Sequence, residues 1–336
     1  MIRIAINGYG RIGRCLLHAI YESGRDQEFN IVAINDLCEF DLLTHLTRYD
    51  STHGHFPADV ALEGNQLRVN DHRIQLLHQQ DPADLPWKAL EVDLVVECSG
   101  RMKSRELVDH HLQAGAPRVL VSHPLADADL TVVYGVNHHL LDGSQRIVSN
   151  ASCTTNCLAP VAKVLHKGLG IECGQMTTIH AYTNDQHLLD NAHSDFYRAR
   201  AAALSMIPTK TGAAAAVGLV LPELAGKLDG MAVRVPTPNV SIVDFHFTAR
   251  RETSREEVNQ MLRDASEGDL KGVLSFNEQP LVSVDYNHNP ASSIVDAPQT
   301  RVQGRQVKVM SWYDNEWGFS NRLLDVAAAM NNRADG

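Results

Sequence analysis

The chain opens on Ile2-Arg3-Ile4-Ala5-Ile6-Asn7-Gly8-Tyr9-Gly10-Arg11-Ile12-Gly13-Arg14, and the reading of everything after it starts here. An apolar, β-branched run ends at Asn7, and glycines follow at 8, 10 and 13. From Arg11 to Ser23 the residues Leu16, Leu17 and Ile20 then recur at helical core spacing. Strand, glycine turn and helix in that order predict a loop that wraps a pyrophosphate. The glycines let the backbone approach the phosphates, whose charge meets the unpaired N–H groups and the positive dipole end of the helix. The next apolar run, Ile31 to Ile34, ends in Asn35-Asp36. A carboxylate at that point accepts hydrogen bonds from the adenosine ribose hydroxyls and repels a 2′-phosphate, so Asp36 favours NAD over NADP. A glycine turn without a ligand, and a helix cap for Asp36, are the alternative roles.

Working outward, short apolar runs alternate with amphipathic stretches of helical length. Val92 to Glu97, Val119 to Ser122, Val132 to Val136 and Ile147 to Ser149 continue the series. Runs apolar on both faces predict buried parallel strands covered by helices, an α/β arrangement. Leu67 to His78, with Asn70-Asp71 at its centre, reads as a hairpin insertion. Glu97-Cys98-Ser99-Gly100 and Ser122-His123-Pro124 follow strands and are expected at the edge that meets the cofactor. Beyond residue 150 the runs lengthen. Gly174 to Thr183, Met231 to Val235, Val240 to Arg250 and Val307 to Asp314 predict mainly antiparallel strands, because Ser241 to Thr248 alternates apolar with polar side chains. Helices are expected over Thr154 to Lys167, Gly212 to Val220 and Ser254 to Glu267, the last opened by a Ser254/Glu257 capping box, with a final one from Ser320 to Met330. The change of texture sets a boundary at Asn150, giving domains 1–150 and 151–315. The segment from Asn184 to Pro208 is long and weakly periodic, as functional loops are.

With 336 residues, 44% hydrophobic and 21% charged, the chain has the material for about two domains, and disorder, coiled coil and collagen are excluded. Thirty Lys and Arg against 40 Asp and Glu give a formal charge of −10, spread along the sequence, which argues against nucleic acid or an anionic membrane as the partner. No run is long enough to span a bilayer and the N-terminus lacks a signal-peptide layout, so a cytoplasmic protein is expected. Six cysteines without a CxxC pair predict no metal site and no disulfide framework.

Ser149-Asn150-Ala151-Ser152-Cys153-Thr154-Thr155-Asn156-Cys157 puts a cysteine at a strand-to-helix junction, where N–H groups and the helix dipole are expected to lower its pKa. Cys153 is read as the nucleophile and Cys157 as a packed thiol. A small buried residue is the plainer alternative for Cys153. Of 17 histidines, His180 ends the run Met176-Thr177-Thr178-Ile179 and is placed to serve as the base; surface roles are expected for His123, His138, His139, His187, His193 and the pair His110-His111. A nicotinamide cofactor, a thiol and a base together predict aldehyde oxidation through a thioester. Thr209-Lys210-Thr211-Gly212 opens a helix and suits an anion. Arg234, inside an apolar run, is costly to bury without an anionic partner. Arg198 and Arg200 have an ion pair as their alternative role, preferred for Arg200, while Thr183 and Asp185 follow His180 closely enough to share its site.

These motifs, with His180-Ala-Tyr-Thr-Asn-Asp-Gln186, Thr211-Gly-Ala-Ala214, Arg234-Val-Pro-Thr-Pro-Asn-Val-Ser241 and Trp312-Tyr-Asp-Asn-Glu-Trp-Gly318, resemble the phosphorylating glyceraldehyde-3-phosphate dehydrogenase family from the first strand to the last helix. The resemblance implies a Rossmann-type NAD domain, a C-terminal helix 316–336 packing back on it, an α+β catalytic domain, and a homotetramer. It also implies that Cys153 carries the thioester with His180 as base. Ser152, Thr154, Thr211, Gly212 and Arg198 would surround attacking inorganic phosphate, and Thr183 and Arg234 the substrate's phosphate. Gly8, Gly10, Arg11, Ile12, Asp36 and Ser122 would contact NAD, and Asn315 its carboxamide. Tyr197-Arg198-Ala199-Arg200 has one arginine fewer than the family often shows, and Gln80 stands where an arginine is usual. Asp285-Tyr286-Asn287-His288-Asn289-Pro290, Ser122-His123-Pro124 and Tyr134-Gly135-Val136-Asn137 are closer to the sister erythrose-4-phosphate dehydrogenase or to gluconeogenic paralogues, whereas Thr183 and the Thr211 helix start favour the glyceraldehyde branch. An idle NAD-binding regulator on the same fold is a reading from another class.

Overall fold

Ile2–Asn7 forms a strand because every residue but Arg3 is buried, and it lies at the centre of a nine-stranded sheet. The structure, a computed structural model, describes residues 1–332. The chain divides into two compact units, one made of 1–132, 138–151 and the segment from Ser320 onward, the other of 133–137 and 152–319.

In the first unit the sheet runs Leu130–Thr131, Ile147–Ser149, Val119–Val121, Leu94–Glu97, Ile2–Asn7, Phe29–Asn35, His72–Leu77, Gln66–Val69, Val60–Glu63. The strands from Leu130–Thr131 to His72–Leu77 are parallel, and only the last two additions are antiparallel. Ile2–Asn7 pairs with Phe29–Asn35 on one side and Leu94–Glu97 on the other, so the connections leave it in opposite directions. That switch point opens a crevice at the carboxyl ends of the strands. The hairpin expected around Asn70-Asp71 is present, with Asn70 at φ 51°. Helices α1 (Arg11–Glu22), α2 (Phe40–Arg48) and α3 (Arg105–Gln113) connect the strands.

The strand expected over Val132 to Val136 does not form. Pairing stops at Leu130–Thr131, and Val133 and Asn137 close a turn through Val133 N–H on Asn137 Oδ1 (2.9 Å), with Gly135 at φ 81°. Lys163 Nζ holds the carbonyls of Gly135 and Val136. A glycine in the left-handed region interrupts a run that composition alone makes strand-like.

The second unit is an eight-stranded sheet in the order Ile207–Lys210, Leu228–Val235, Ile171–Ala181, Ser241–Ala249, Gln306–Tyr313, Ser293–Asp296, Leu274–Asn277, with Arg301–Gln303 also on Gln306–Tyr313. It is mainly antiparallel, the parallel pairs being Ile171–Ala181 with Leu228–Val235 and Leu274–Asn277 with Ser293–Asp296. Helices α4 (Cys153–Leu169), α5 (Ala213–Val220) and α6 (Arg255–Glu267) belong to this unit. At α6 the expected capping box is half made: Ser254 Oγ accepts from Glu257 N–H at 3.1 Å, but the Glu257 carboxylate turns to Arg251 and Thr253. The last helix, α7 (Trp317–Asn332), is tied within the first unit by Arg25 to Asp325 (2.8 Å). Residues 333–336 of the expected 316–336 helix lie outside the described residues.

The floor of the first unit's crevice rests on one buried carboxylate. Glu97 and His111 are both 0% exposed, with His111 Nε2 3.0 Å from Glu97 Oε2. Trp87 Nε1–H donates to His111 Nδ1 at 2.9 Å, so the imidazole proton sits on Nε2 and points at the carboxylate. Asn7 Nδ2 and both the N–H and hydroxyl of Ser99 complete the set of donors. The surface role expected for His111 is therefore wrong, whereas His110 does lie outward against Asp81. Burial opposes the charge on Glu97, but these donors outweigh it and hold the carboxyl below its ordinary range. A carboxylate depressed in the fold contributes stability above its unfolded pKa and loses it as the pH falls. Glu97→Ala is expected to cost about 3–5 kcal/mol by stranding the donors, and Glu97→Gln to flatten the loss of stability in acid; urea denaturation across pH reads both, and an Ala variant as stable as the parent would refute the role.

Candidate active site

At the crevice of the first unit, Gly8 has φ 87°, and a Cβ there would lie 2.4 Å from the Ser99 backbone. A Cβ on Gly13 would lie 2.4 Å from Gly8 O, whereas one on Gly10 would meet nothing within 4 Å. Gly8 and Gly13 are thus required by the fold, and Gly10 leaves room for a ligand's backbone approach. Gly10 caps α1 without a side-chain hydrogen bond, so the helix presents N–H groups to the crevice. Asp36 lines the same cleft with Gly8, Gly10 and Gln80, and its oxygens accept from Tyr9 N–H (2.7 Å) and Cys38 N–H (2.9 Å). Asp36 thus ties the loop together while lining the cleft. The Arg11 guanidinium is committed to Asp50 by paired contacts, and Arg11 and Ile12 form the first turn of α1. Ser122 is tied to the strand beside the crevice by its N–H, which donates to Glu97 O at 3.0 Å, and Cys98, next along that strand, lines the cleft.

In the second unit Ser152 caps α4, its Oγ accepting from Thr155 N–H at 3.0 Å, and Cys153 is the first helical residue. Cys153 Sγ lies 3.6 Å from His180 Nε2. His180 Nδ1 is 2.6 Å from Ala181 O; a carbonyl only accepts, so the ring proton is on Nδ1 and Nε2 is left to take a proton from sulfur. Arg234 is brought beside it by register, since His180 pairs with Arg234 along the parallel strands. Arg234 Nη1 donates to Ala181 O (3.0 Å) and Thr183 Oγ1 (3.3 Å), and its Nε has no partner. Among the described residues no carboxylate lies within ion-pair distance of Arg234, which leaves a half-buried cation for an anion to satisfy.

Burial and the positive charge of Arg234 push His180 down to about 3, so the imidazole is neutral. Burial also pushes the Cys153 thiol up, even though part of the residue stays exposed, and outweighs the pull of Arg234 and of the Thr154 hydroxyl and N–H. The expectation that the helix start lowers this thiol is therefore not met, because desolvation of the anion is the larger effect. The resting pair is thiol and neutral imidazole. Cys157 is buried as expected, with Sγ 3.5 Å from Ser293 Oγ.

Thr154 Oγ1 and Thr178 Oγ1 each lie 2.8 Å from Tyr313 OH, and the Tyr313 ring meets His180 edge-on at 6.0 Å. Arg198 donates to Thr209 Oγ1 (3.0 Å) and Lys210 O (3.2 Å) and pairs with Asp185, which puts it at the start of α5 beside Thr211 and Gly212. Thr211 Oγ1 accepts from Ala213 N–H (3.2 Å), and Thr155 Oγ1 reaches Ala213 O, joining the first turns of α4 and α5. Arg200 pairs with Asp190, the role preferred for it. Asn315 Oδ1 accepts from Ser241 Oγ at 2.8 Å. Tyr313 and Ser241 were not singled out from the sequence; both stand in quoted motifs and face each other in register, but nothing in the residue types distinguishes them from core.

A family model described as glyceraldehyde 3-phosphate dehydrogenase, NAD binding domain, matches residues 2–105, and one described as the C-terminal domain of that enzyme matches 152–315. A glyceraldehyde-3-phosphate dehydrogenase of Pseudomonas aeruginosa is 62% identical over 329 residues, covering 98% of each chain. The chromosomally encoded one of Cupriavidus necator is 59% identical over 330 residues, again 98% of each, and that of Geobacillus stearothermophilus 52% over 329, 97% of each. With a Rossmann-type NAD-binding domain at one end and the catalytic-type domain at the other, the chain belongs to the glyceraldehyde-3-phosphate dehydrogenase family.

Proposed function

We propose that the chain oxidises glyceraldehyde 3-phosphate with NAD and inorganic phosphate to 1,3-bisphosphoglycerate, through a thioester on Cys153. One observation carries this reading: a thiol 3.6 Å from an imidazole nitrogen that the Ala181 carbonyl keeps free to accept a proton. Gly8, Gly10, Arg11, Ile12, Asp36 and Ser122 hold NAD, a fit supported by the open face at Gly10 and the close-packed Gly8 and Gly13, and Asn315 holds the carboxamide. Bound NAD supplies the hydride acceptor. His180 Nε2 takes the thiol proton as sulfur attacks the aldehyde carbon, returns it to the former carbonyl oxygen, and takes it again from that hydroxyl as the carbon is oxidised to the thioester. Arg234 and Thr183 bind the substrate's phosphate, and Ser152, Thr154, Thr211, Gly212 and Arg198 the attacking phosphate that releases the acyl group from sulfur. Residues 1–150 with the C-terminal helix are read as the cofactor domain and 151–315 as the catalytic one, with 133–137 packing in the second compact unit and Ala151 in the first. NADH formation from glyceraldehyde 3-phosphate is expected to depend on inorganic phosphate. Phosphate-independent turnover of erythrose 4-phosphate in its place would assign the sister activity instead.

Neutral thiol with neutral imidazole carries the same proton count as thiolate with imidazolium, so iodoacetate alkylation of Cys153 is expected to be level from about pH 5 to about pH 8. It falls where His180 protonates, near 3, and rises above the ordinary thiol range. His180→Asn is expected to slow alkylation at neutral pH by about 10²-fold or more, with the rate recovering only in alkali; an unchanged neutral rate removes His180 as the base.

We also read the enzyme as a cytoplasmic homotetramer. Leu188 (83% exposed), Phe196 (88%), Leu204 (81%) and Met206 (76%) crowd one loop of the second unit, more apolar surface than an isolated chain leaves in water. Sedimentation is expected to give four chains, and Phe196→Asp with Leu204→Asp a smaller species; a parent that sediments as a monomer refutes the tetramer.

A further inference from the structure

Ser241 is 1% exposed and stands where a ladder of main-chain hydrogen bonds runs out. The antiparallel pairing of Ile171–Ala181 with Ser241–Ala249 ends at Ile179 opposite Ile242. Beyond it, Ala181 N–H finds the Ser241 hydroxyl at 3.0 Å in place of a main-chain carbonyl. Having accepted there, Ser241 Oγ donates its own proton to Asn315 Oδ1 at 2.8 Å. The two directions are not interchangeable. A backbone N–H can only donate, so the hydroxyl proton must go to an acceptor, and Asn315 offers one only through Oδ1. With the amide reversed, Nδ2 would face the hydroxyl and a buried O–H would be left without an acceptor. Asn315 is therefore held with Nδ2 turned away from Ser241, and among the described residues no protein group takes that Nδ2.

The other side of Ala181 carries the imidazole. Its carbonyl accepts from His180 Nδ1 and Arg234 Nη1, and the following Tyr182 N–H rests on Thr237 O at 3.2 Å. Ala181 is thus pinned at its N–H by Ser241 and across the next peptide by Thr237. One hydroxyl fixes both the amide direction of Asn315 and the strand end that sets the ring of His180.

Resting on the proposed function, we infer that Ser241 is a positioning residue that presents the Asn315 amide donor to the carboxamide of a nicotinamide ring and, through Ala181, steadies His180 toward the Cys153 sulfur. It touches neither cofactor nor substrate.

The test is Ser241→Ala in the full chain, titrated with NAD and with ADP-ribose, which lacks the nicotinamide. NAD affinity is expected to fall by about tenfold, the worth of one well-made hydrogen bond, while ADP-ribose affinity is kept. In an Asn315→Ala background the same change is expected to cost no further NAD affinity. Cofactor-free alkylation of Cys153 by iodoacetate is expected to slow several-fold. Ser241→Cys, similar in volume with a weaker donor, gives the same pattern in smaller measure and serves if the alanine variant does not fold. Equal losses for both ligands, no loss for either, additive losses in the double variant, or alkylation at the parent rate overturn the inference. Failure of the function reading has a separate signature, a parent enzyme that does not oxidise glyceraldehyde 3-phosphate.

Discussion

One carbonyl oxygen, that of Ala181, accepts from the imidazole of His180 and from the guanidinium of Arg234, and the chemistry of the second unit depends on it. The first bond decides the tautomer and so leaves Nε2 facing sulfur. The second brings a cation close enough to keep the ring neutral, because a protonated imidazole would meet both burial and a like charge. Parallel register supplies the rest, since pairing His180 with Arg234 brings both residues to the same strand end. Slipping that register by one residue would send one of the two to the opposite face of the sheet.

The first unit solves a related problem with the opposite charge. Glu97 ends a central strand, fully buried, and its oxygens are satisfied by Asn7, His111 and Ser99. Its bonds to Ser99 hold the segment that passes 2.4 Å from where a Gly8 side chain would begin. In both units a polar group sits at or beside the last rungs of a sheet, where a strand runs out of main-chain partners and side chains finish the pairing. Strand ends are therefore the places where a small number of residues can be held rigidly without being packed over.

The sequence-level reading reached what local pattern controls. The glycine loop, the Asn70-Asp71 turn and the cysteine at a helix start are each specified within a few residues, and each is found as expected. Properties set by distant partners were not legible. His110 and His111 are chemically alike and adjacent; only the orientation of α3 against Trp87 and Glu97 sends one inward. Arg11 is claimed by Asp50, far along the chain, which no spacing rule announces. The direction of the Cys153 shift failed for a similar reason: the helix start is local and visible, but the depth of burial that outweighs it is a property of the whole unit. Ser241 escaped notice because a strand serine with two well-placed neighbours is indistinguishable, in sequence, from one that merely fills space.

The indole of Trp87, buried and bonded to His111, has an optical consequence. Of the three tryptophans, Trp87 alone lies in the first unit, while Trp312 and Trp317 lie in the second, stacked on Tyr286 and His288. Replacing the latter two with phenylalanine leaves an emission spectrum that comes from the dinucleotide crevice's supporting network alone, a native fluorophore for following one unit while the other goes unseen.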